Sequence, residues 1–298
     1  FIDFFKRKKT KSQEIFAIET KKNKIKAGLA LGSGGTRGFA HLGVLKAFED
    51  ENIKFDYVAG TSAGSIVGAL YSFGYSVDEM IEFASGLSIK DVKSSALIFM
   101  PSSAQPIEEV VRKFLGDVSF SDSKIPYSCV AVDLVTGNEV VMKDENLPKA
   151  VSASCAVPPF YRPVVWGDMH LIDGAFANPI PAKIVRDMGA DIVVSVEVNS
   201  TRGIGTDSLS IVEVYRAATR IATKYTADDG IRNSDVVLRP DLKDFTSYNI
   251  KGVNEMIKNG YDETYRQMEK IKELLGIDNP HQMSPKGAPI LKFINNKK

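Results

Sequence analysis

The feature that most constrains this chain is the stretch of residues 57–68, which reads YVAGTSAGSIVG. An apolar run that predicts a buried strand leads into Gly60, Ser62 and Gly64, which form the pattern G-x-S-x-G, and small residues that predict a helix follow. A serine at such a turn holds its hydroxyl above the sheet, and only small neighbours let strand and helix pass so closely. The first N–H groups of the helix favour negative charge at the same place. The stretch therefore predicts a nucleophilic serine, with an idle serine in a tight turn as the alternative.

A glycine-rich loop lies about thirty residues upstream of this serine. Residues 25–31 predict a buried strand, and the sequence GSGGTRG at residues 32–38 separates it from a helical pattern. Backbone N–H groups in such a loop bind a phosphate or the oxyanion of an acyl-transfer intermediate, and Arg37 adds a positive charge. One strand-helix-strand unit separates the loop from Ser62. We therefore expect both at the carboxyl edge of one parallel sheet, where α/β folds bind ligands.

Glycine loops after a first strand also open dinucleotide-binding folds. Here the glycines have the spacing G-x-G-x-x-x-G instead of G-x-G-x-x-G. The acid expected about twenty residues further on, at the end of a second strand, is missing, because Asp56 precedes its strand. The loop thus favours an oxyanion over a nicotinamide cofactor.

The rest of the chain continues the α/β pattern. Buried strands are predicted at residues 55–59, 127–132, 171–172, 192–196 and 236–238, and residues 139–142 form a hairpin with the second of these. Helices are predicted within residues 76–118, before Met188, and twice in the last hundred residues. The partly apolar residues 93–106 predict either a lid or acyl-chain wall or a packed loop. Residues 152–163 suit the lining of an apolar pocket.

A serine nucleophile needs a base, which is usually a histidine, and the chain has three. His41 lies in the helix after the glycine loop, where we expect local packing. His281 lies in a C-terminal tail, which is a poor platform for preorganised chemistry. His170 is closest along the chain to a suitable acid and is the weaker alternative for the base of Ser62.

Asp173 is the best partner for Ser62, because it ends a short apolar strand and is followed directly by Gly174. An aspartate can serve as base when partial desolvation raises its basicity. The simplest interpretation is a Ser62/Asp173 dyad, and the alternative for Asp173 is a turn residue. Asp133 also ends a strand, but a turn-capping role suits it better.

Three motifs follow each other in order: the glycine loop with Arg37, G-T-S-A-G around Ser62, and D-G-A from Asp173 with N-P-I-P at residues 178–181. Together they resemble the patatin-like phospholipase family, and within it the bacterial branch related to neuropathy target esterase. The resemblance covers about residues 27–198. It implies an α/β fold, namely a three-layer α/β/α sandwich with a mainly parallel central sheet, and a helical C-terminal extension.

The resemblance also implies lipid acyl hydrolase activity with a Ser/Asp dyad and without histidine. Carried over by position, it makes Ser62 the nucleophile and Asp173 the base. The loop N–H groups form the oxyanion hole and Arg37 fixes the loop; the loop residues are Gly34, Gly35, Thr36 and Arg37. The supporting glycines are Gly32, Gly38, Gly60, Gly64 and Gly174. Ser33 departs from the family, whose loop commonly has glycine at that position.

We therefore expect a serine esterase that acts on phospholipid or lysophospholipid through an acyl-enzyme. A catalytically weak binding or regulatory module on the same fold, and acyl transfer to an acceptor other than water, stay open. No cofactor is expected. No metal site is expected either, because the histidines and cysteines lack ligand spacing.

Charge is unevenly distributed, although the net charge is only +1 and gives no reason to expect nucleic acid. Residues 1–26 contain nine basic and three acidic residues. Residues 1–11 combine an aromatic head with cations, which is typical of a segment that rests on anionic membrane; a solvated leader is the alternative. Cys129 and Cys155 are expected to be reduced and buried. No apolar run reaches the roughly 18 residues of a spanning helix. These features predict a cytoplasmic protein with peripheral membrane contact.

The chain is expected to divide into three parts. Residues 1–24 form a basic leader, residues 25–200 the hydrolase domain, and residues 201–298 a mainly helical extension packed on the core.

Overall fold

A computed structural model describes residues 25–86, 103–144, 146–199, 211–245 and 252–277. The predictions for residues 1–11, 93–102 and 203–205 and for His281 lie outside these ranges. Within the described residues, eight strands form one sheet in the order β5-β6-β3-β2-β1-β7-β8, and β4 pairs with β3. The strands are β1 (Ala27–Leu31), β2 (Tyr57–Thr61), β3 (Tyr127–Asp133), β4 (Glu139–Met142), β5 (Val164–Trp166), β6 (Met169–Asp173), β7 (Ile192–Val196) and β8 (Val236–Leu238).

The sheet has a parallel centre and an antiparallel side. Strands β3, β2, β1, β7 and β8 run parallel, whereas β4, β5 and β6 join by antiparallel pairing. Every residue of β1 and β3 is buried, as expected for strands covered on both faces.

The described helices are α1 (Ala40–Asp50), α2 (Ala63–Ser72), α3 (Val77–Gly86), α4 (Gln105–Leu115), α5 (Leu147–Ser154), α6 (Ala182–Asp187), α7 (Ile211–Arg232) and α8 (Val253–Leu274). Three short 3₁₀ helices cover Gly35–Phe39, Phe120–Asp122 and Gly174–Phe176. Asn146 caps the N-terminus of α5, because its side chain accepts the Lys149 N–H at 3.1 Å.

Alternating strand residues enter two separate cores. Leu29 and Leu31 of β1 belong to a large cluster with α1, α2 and α8. Ala30 between them belongs to a smaller cluster with α6 and α7. Because successive strand residues point to opposite faces, the two clusters are the two faces of one sheet. The expected α/β/α sandwich is confirmed.

Elements after residue 200 form part of this body. β8 pairs with β7, and α8 packs closely on α1. A Cβ at Gly43 would lie 1.8 Å from the Ile257 carbonyl oxygen, so a glycine is needed where these two helices meet. The helix that carries His41 is therefore held between the sheet and α8.

Strand β2 begins two residues later than expected. Phe55 is buried, but it packs edge to face on Phe48 of α1, with ring centroids 4.9 Å apart. Its apolar character thus reflects loop packing and not strand formation. β5 and α5 were not anticipated from the sequence.

Strand register sets the position of the site. Thr61 at the end of β2 pairs with Val130 of β3, and the next residue of β3, Ala131, pairs with Asp173 of β6. Ser62 and Asp173 are therefore at the same level on either side of β3.

Candidate active site

Ser62 occupies a strained turn between β2 and α2. Its φ of 54° and ψ of −123° lie in a region that side chains other than glycine rarely adopt. A Cβ at Gly60 would lie 2.4 Å from the Gly64 carbonyl oxygen, and one at Gly64 would lie 2.1 Å from that of Leu31. Both glycines are thus required for the close passage of strand and helix that the sequence predicted.

The Ser62 hydroxyl donates a hydrogen bond to Asp173. The distance from Ser62 Oγ to Asp173 Oδ2 is 2.6 Å, and Asp173 Oδ1 accepts the Ala175 N–H at 2.8 Å. The carboxyl group is almost fully buried, at 1% exposure. Burial raises the pKa of Asp173 from its ordinary 3.8 to about 7, although the bonds from Ser62 and Ala175 act in the opposite direction. One oxygen of this buried carboxylate is bound by a backbone N–H and the other faces the serine hydroxyl, so the carboxylate can accept a proton from that hydroxyl near neutral pH.

The glycine loop crosses the same edge of the sheet. Arg37 N–H donates to the Gly34 carbonyl at 3.2 Å, and the Arg37 guanidinium donates two bonds to the Phe245 carbonyl, at 2.9 and 2.7 Å. Within the described part of the chain, the N–H groups of Gly34 and Gly35 have no hydrogen-bond partner. The loop therefore presents two unused donors, as an anion-binding loop requires.

Ser33, where the family commonly has glycine, is accommodated without loss of a backbone bond. Its N–H donates to the Pro179 carbonyl at 2.9 Å, and its carbonyl accepts the Asn199 side-chain amide at 2.7 Å. The remaining loop glycines allow close packing: a Cβ at Gly38 would lie 2.6 Å from that of Ala63.

The two described histidines do not contact the dyad. His41 is fully buried, and its Nε2 lies 2.8 Å from the Gly32 carbonyl oxygen. His170 is exposed and stands three residues from Asp173 on the same strand, so the two side chains project from opposite faces.

Asp133 has the turn role that its position suggested. It accepts the Thr136 hydroxyl at 2.8 Å and the Val135 N–H at 3.3 Å. These bonds, that of Thr136 above all, hold the pKa of Asp133 below its ordinary value.

Ser154 was not identified from the sequence, although it contacts the nucleophile. Its Oγ accepts the Ser62 N–H at 2.9 Å, and it is fully buried at the end of α5. Ser65 completes the turn by donating to the Ser62 carbonyl at 2.6 Å. Asn146 and Pro148, a typical helix start, were the available signal for α5, but no pattern marks Ser154 itself.

Ser152, Arg162 and Pro163 line a cavity of about 230 Å³, and the lining of this cavity is more polar than the sequence predicted for residues 152–163. It contains charged side chains on three segments: Glu108 from α4, Lys149 from α5, and Arg162.

The cysteines are reduced and buried, and burial raises the pKa of both thiols far above the ordinary range.

Two kinds of feature are absent from the described residues. They contain no group of three or more histidine, cysteine or acidic side chains that could hold a metal ion. None of their helices combines the length and apolar character needed to cross a bilayer.

Residues 29–186 match the family model described as patatin-like phospholipase. Because this is more than half of the chain, the chain belongs to the patatin-like phospholipase family, and the resemblance inferred from the motifs is confirmed.

Two relatives illustrate the match. The chain is 32% identical over 182 residues to an uncharacterized NTE family protein of Mycobacterium tuberculosis, covering 59% of this chain and 50% of that protein. It is 34% identical over 186 residues to human patatin-like phospholipase domain-containing protein 6, covering 58% of this chain and 13% of that protein. The chain thus spans about half the length of the mycobacterial relative and a small part of the human one.

Solved structures share the fold. VipD from Legionella pneumophila superposes with a TM-score of 0.59 at 14% identity, covering 83% of this chain and 67% of that one. Human GIVD cytosolic phospholipase A2 gives a TM-score of 0.51 at 10% identity, covering 85% and 60%. At these identities the likeness concerns the fold alone.

Proposed function

We propose that this protein is a serine lipid acyl hydrolase that uses a Ser62/Asp173 dyad. The observation that carries the proposal is the 2.6 Å hydrogen bond from Ser62 to a buried carboxylate whose pKa is raised to about 7. Membership of the patatin-like phospholipase family supports a lipid ester as substrate.

In the first step, Asp173 takes the proton from Ser62 Oγ while the oxygen attacks the ester carbonyl carbon. The carbonyl π electrons move to the oxygen, which becomes the oxyanion of a tetrahedral intermediate. The N–H groups of Gly34 and Gly35 are free to bind it, and that of Thr36 is a predicted third donor. The positive end of α2 lies at the same place.

In the second step, the intermediate collapses and the bond to the alcohol breaks. The alcohol leaves with the proton held by Asp173, and an acyl-enzyme remains on Ser62. Water then gives a proton to Asp173 and attacks the acyl carbon. Collapse of this intermediate returns the proton to Ser62 Oγ and frees the fatty acid.

The proposed substrate is a glycerophospholipid or lysophospholipid, which is presented at a membrane surface. Peripheral contact through residues 1–11 is part of the proposal, supported by their aromatic and cationic composition. Anionic vesicles that bind the full chain, and bind it less after Lys8 and Lys9 are replaced by Gln, would support this contact.

The test compares fatty acid release from p-nitrophenyl esters of graded chain length and from a fluorogenic phospholipid. Ser62→Ala and Asp173→Asn are expected to abolish turnover. Asp133→Asn, a matched change of another strand-end acid, and His170→Ala are expected to retain it. A fluorophosphonate that labels wild type but not Ser62→Ala would separate an enzyme from a binding module. If wild type hydrolyses no ester and is not labelled, the proposal fails.

A further inference from the structure

His41 is a buried polar residue that the dyad does not use. It is the second residue of α1, its side chain is fully buried, and its Nε2 lies 2.8 Å from the Gly32 carbonyl oxygen. A carbonyl oxygen only accepts, so Nε2 must carry the proton and donate it. The other ring nitrogen, Nδ1, is buried without a hydrogen-bond partner.

Burial lowers the pKa of His41 to about 4, because desolvation disfavours the charged ring and outweighs the bond to Gly32. The ring is therefore neutral at physiological pH, with the proton on Nε2. A neutral ring with one unpaired buried nitrogen is less favourable for stability than an apolar side chain of similar shape. Core packing alone therefore does not explain a histidine here.

The Gly32–Ser33 peptide group is held at both ends. Its carbonyl accepts the bond from His41, and its N–H donates to the Pro179 carbonyl at 2.9 Å. This peptide is the first of the glycine loop, directly after β1. Glycine backbones have little intrinsic preference for one orientation, so these two bonds set the direction in which the loop leaves the strand.

The carbonyls of the next two loop residues also accept hydrogen bonds. That of Ser33 accepts the Asn199 amide at 2.7 Å, and that of Gly34 accepts the Arg37 N–H at 3.2 Å. Among the N–H groups of residues 32–35, those of Gly32 and Ser33 donate to backbone carbonyls, whereas those of Gly34 and Gly35 have no hydrogen-bond partner within the described residues. The loop thus offers donors and no unpaired carbonyl from residues 32–34.

The Gly32 carbonyl itself lies beside the first turn of α2. A Cβ at Gly64, two residues after Ser62, would be 2.7 Å from the Gly32 oxygen. The negative end of an unpaired carbonyl at this place would oppose the negative charge that forms on the substrate. Donation from His41 binds that oxygen and fixes it.

We propose that His41 is a positioning residue for the oxyanion loop: its Nε2–H fixes the Gly32–Ser33 peptide so that N–H groups, and not carbonyls, face the Ser62 hydroxyl. This inference rests on the proposed function. His41 acts on the reaction by orienting the loop and does not serve as the base of Ser62.

The kinetic test uses a matched pair of carboxamides. His41→Gln places an amide N–H near the position of Nε2 and is expected to retain most of kcat. His41→Asn places it near Nδ1, out of reach of Gly32, and is expected to lower kcat by about 10²- to 10³-fold, the effect of losing an oxyanion donor, with KM little changed. Ser72→Ala removes Ser72 Oγ, a second buried side-chain atom without a hydrogen-bond partner among the described residues, and is expected to leave kcat unchanged.

Equal kcat values for folded His41→Asn and His41→Gln would overturn the inference. A second measurement needs no variant and no turnover: ¹⁵N NMR of the histidine rings in wild type. The expected result is one neutral ring with Nε2 protonated and Nδ1 bare from pH 5.5 to 8, assigned to His41 by its loss in His41→Gln. An Nδ1–H tautomer there would overturn the inference even in an active enzyme. An inactive wild type with the expected tautomer would instead refute the proposed function and leave the bond to Gly32 standing.

Discussion

The most informative perturbation removes one hydrogen bond from the Asp173 carboxylate. Burial raises its pKa to about 7, and the Ala175 N–H, at 2.8 Å from Oδ1, acts against that rise. Ala175→Pro deletes this N–H. The first turn of a helix accepts proline, and the preceding residue, Gly174, is the least restricted by a following proline. Ala175→Ser keeps the N–H and is the matched control.

The expected size follows from the energy of such bonds. A hydrogen bond to a charged group contributes about 1.5–3 kcal/mol, and one pKa unit corresponds to about 1.4 kcal/mol. Loss of the Ala175 bond therefore raises the pKa of Asp173 by about one to two units. Because the ionised form of Asp173 is the proposed base, wild-type kcat/KM should fall to about a tenth of its plateau at pH 6 and about a hundredth at pH 5. In Ala175→Pro the midpoint moves to about pH 8–9.

The assay is kcat/KM for an uncharged ester between pH 4.5 and 9.5, with folding checked by circular dichroism at each pH. A histidine base would give a similar wild-type curve, since its ordinary pKa is about 6.5. The shift caused by Ala175→Pro is what identifies the carboxylate. A folded Ala175→Pro enzyme with the wild-type midpoint would refute Asp173 as the base. A wild-type midpoint near pH 4 would mean that the carboxyl is solvated in the working enzyme.

Three further predictions concern stability. Between about pH 4 and pH 7 native Asp173 binds a proton that the unfolded chain does not, so the contribution of Asp173 to wild-type stability falls as pH rises through this window, by up to about 4 kcal/mol. The free energy of unfolding in urea of Asp173→Asn should therefore rise relative to that of wild type from pH 4 to pH 8. A difference between the two that does not change with pH would contradict this. Gly64→Ala forces a Cβ to within 2.1 Å of the Leu31 oxygen and should lower Tm and abolish turnover; an active variant with wild-type Tm would contradict it. Ser154→Ala leaves the buried Ser62 N–H without its acceptor and should reduce the free energy of unfolding in urea by about 1–3 kcal/mol; a value equal to that of wild type would contradict it.

Local patterns were sufficient to predict much of the fold and the candidate residues. β1, β3 and β7 are mainly apolar runs. Ser62 directly follows β2 between Gly60 and Gly64, and Asp173 ends β6 directly before Gly174. Local patterns failed where an apolar residue is buried in a loop, because such a residue looks the same in the sequence as one in a strand. Phe55 packs on Phe48 from the loop before β2. Its apolar character resembles that of a strand residue, so the predicted strand begins too early.

The contacts that organise the site could not be predicted in this way, because they join distant parts of the chain. Ser154 is 92 residues from Ser62, and Phe245 is 208 residues from Arg37. A non-glycine residue with a φ of 54° persists only where surrounding structure holds it, and here Ser154 at the end of α5 is one of the groups that hold it. The motif therefore identifies which serine is the candidate nucleophile, but the order of strands decides which side chains keep it in that conformation. A chain with the same three motifs but a different residue at the end of α5 would have the same candidate nucleophile. Its backbone would be held less firmly in the strained conformation.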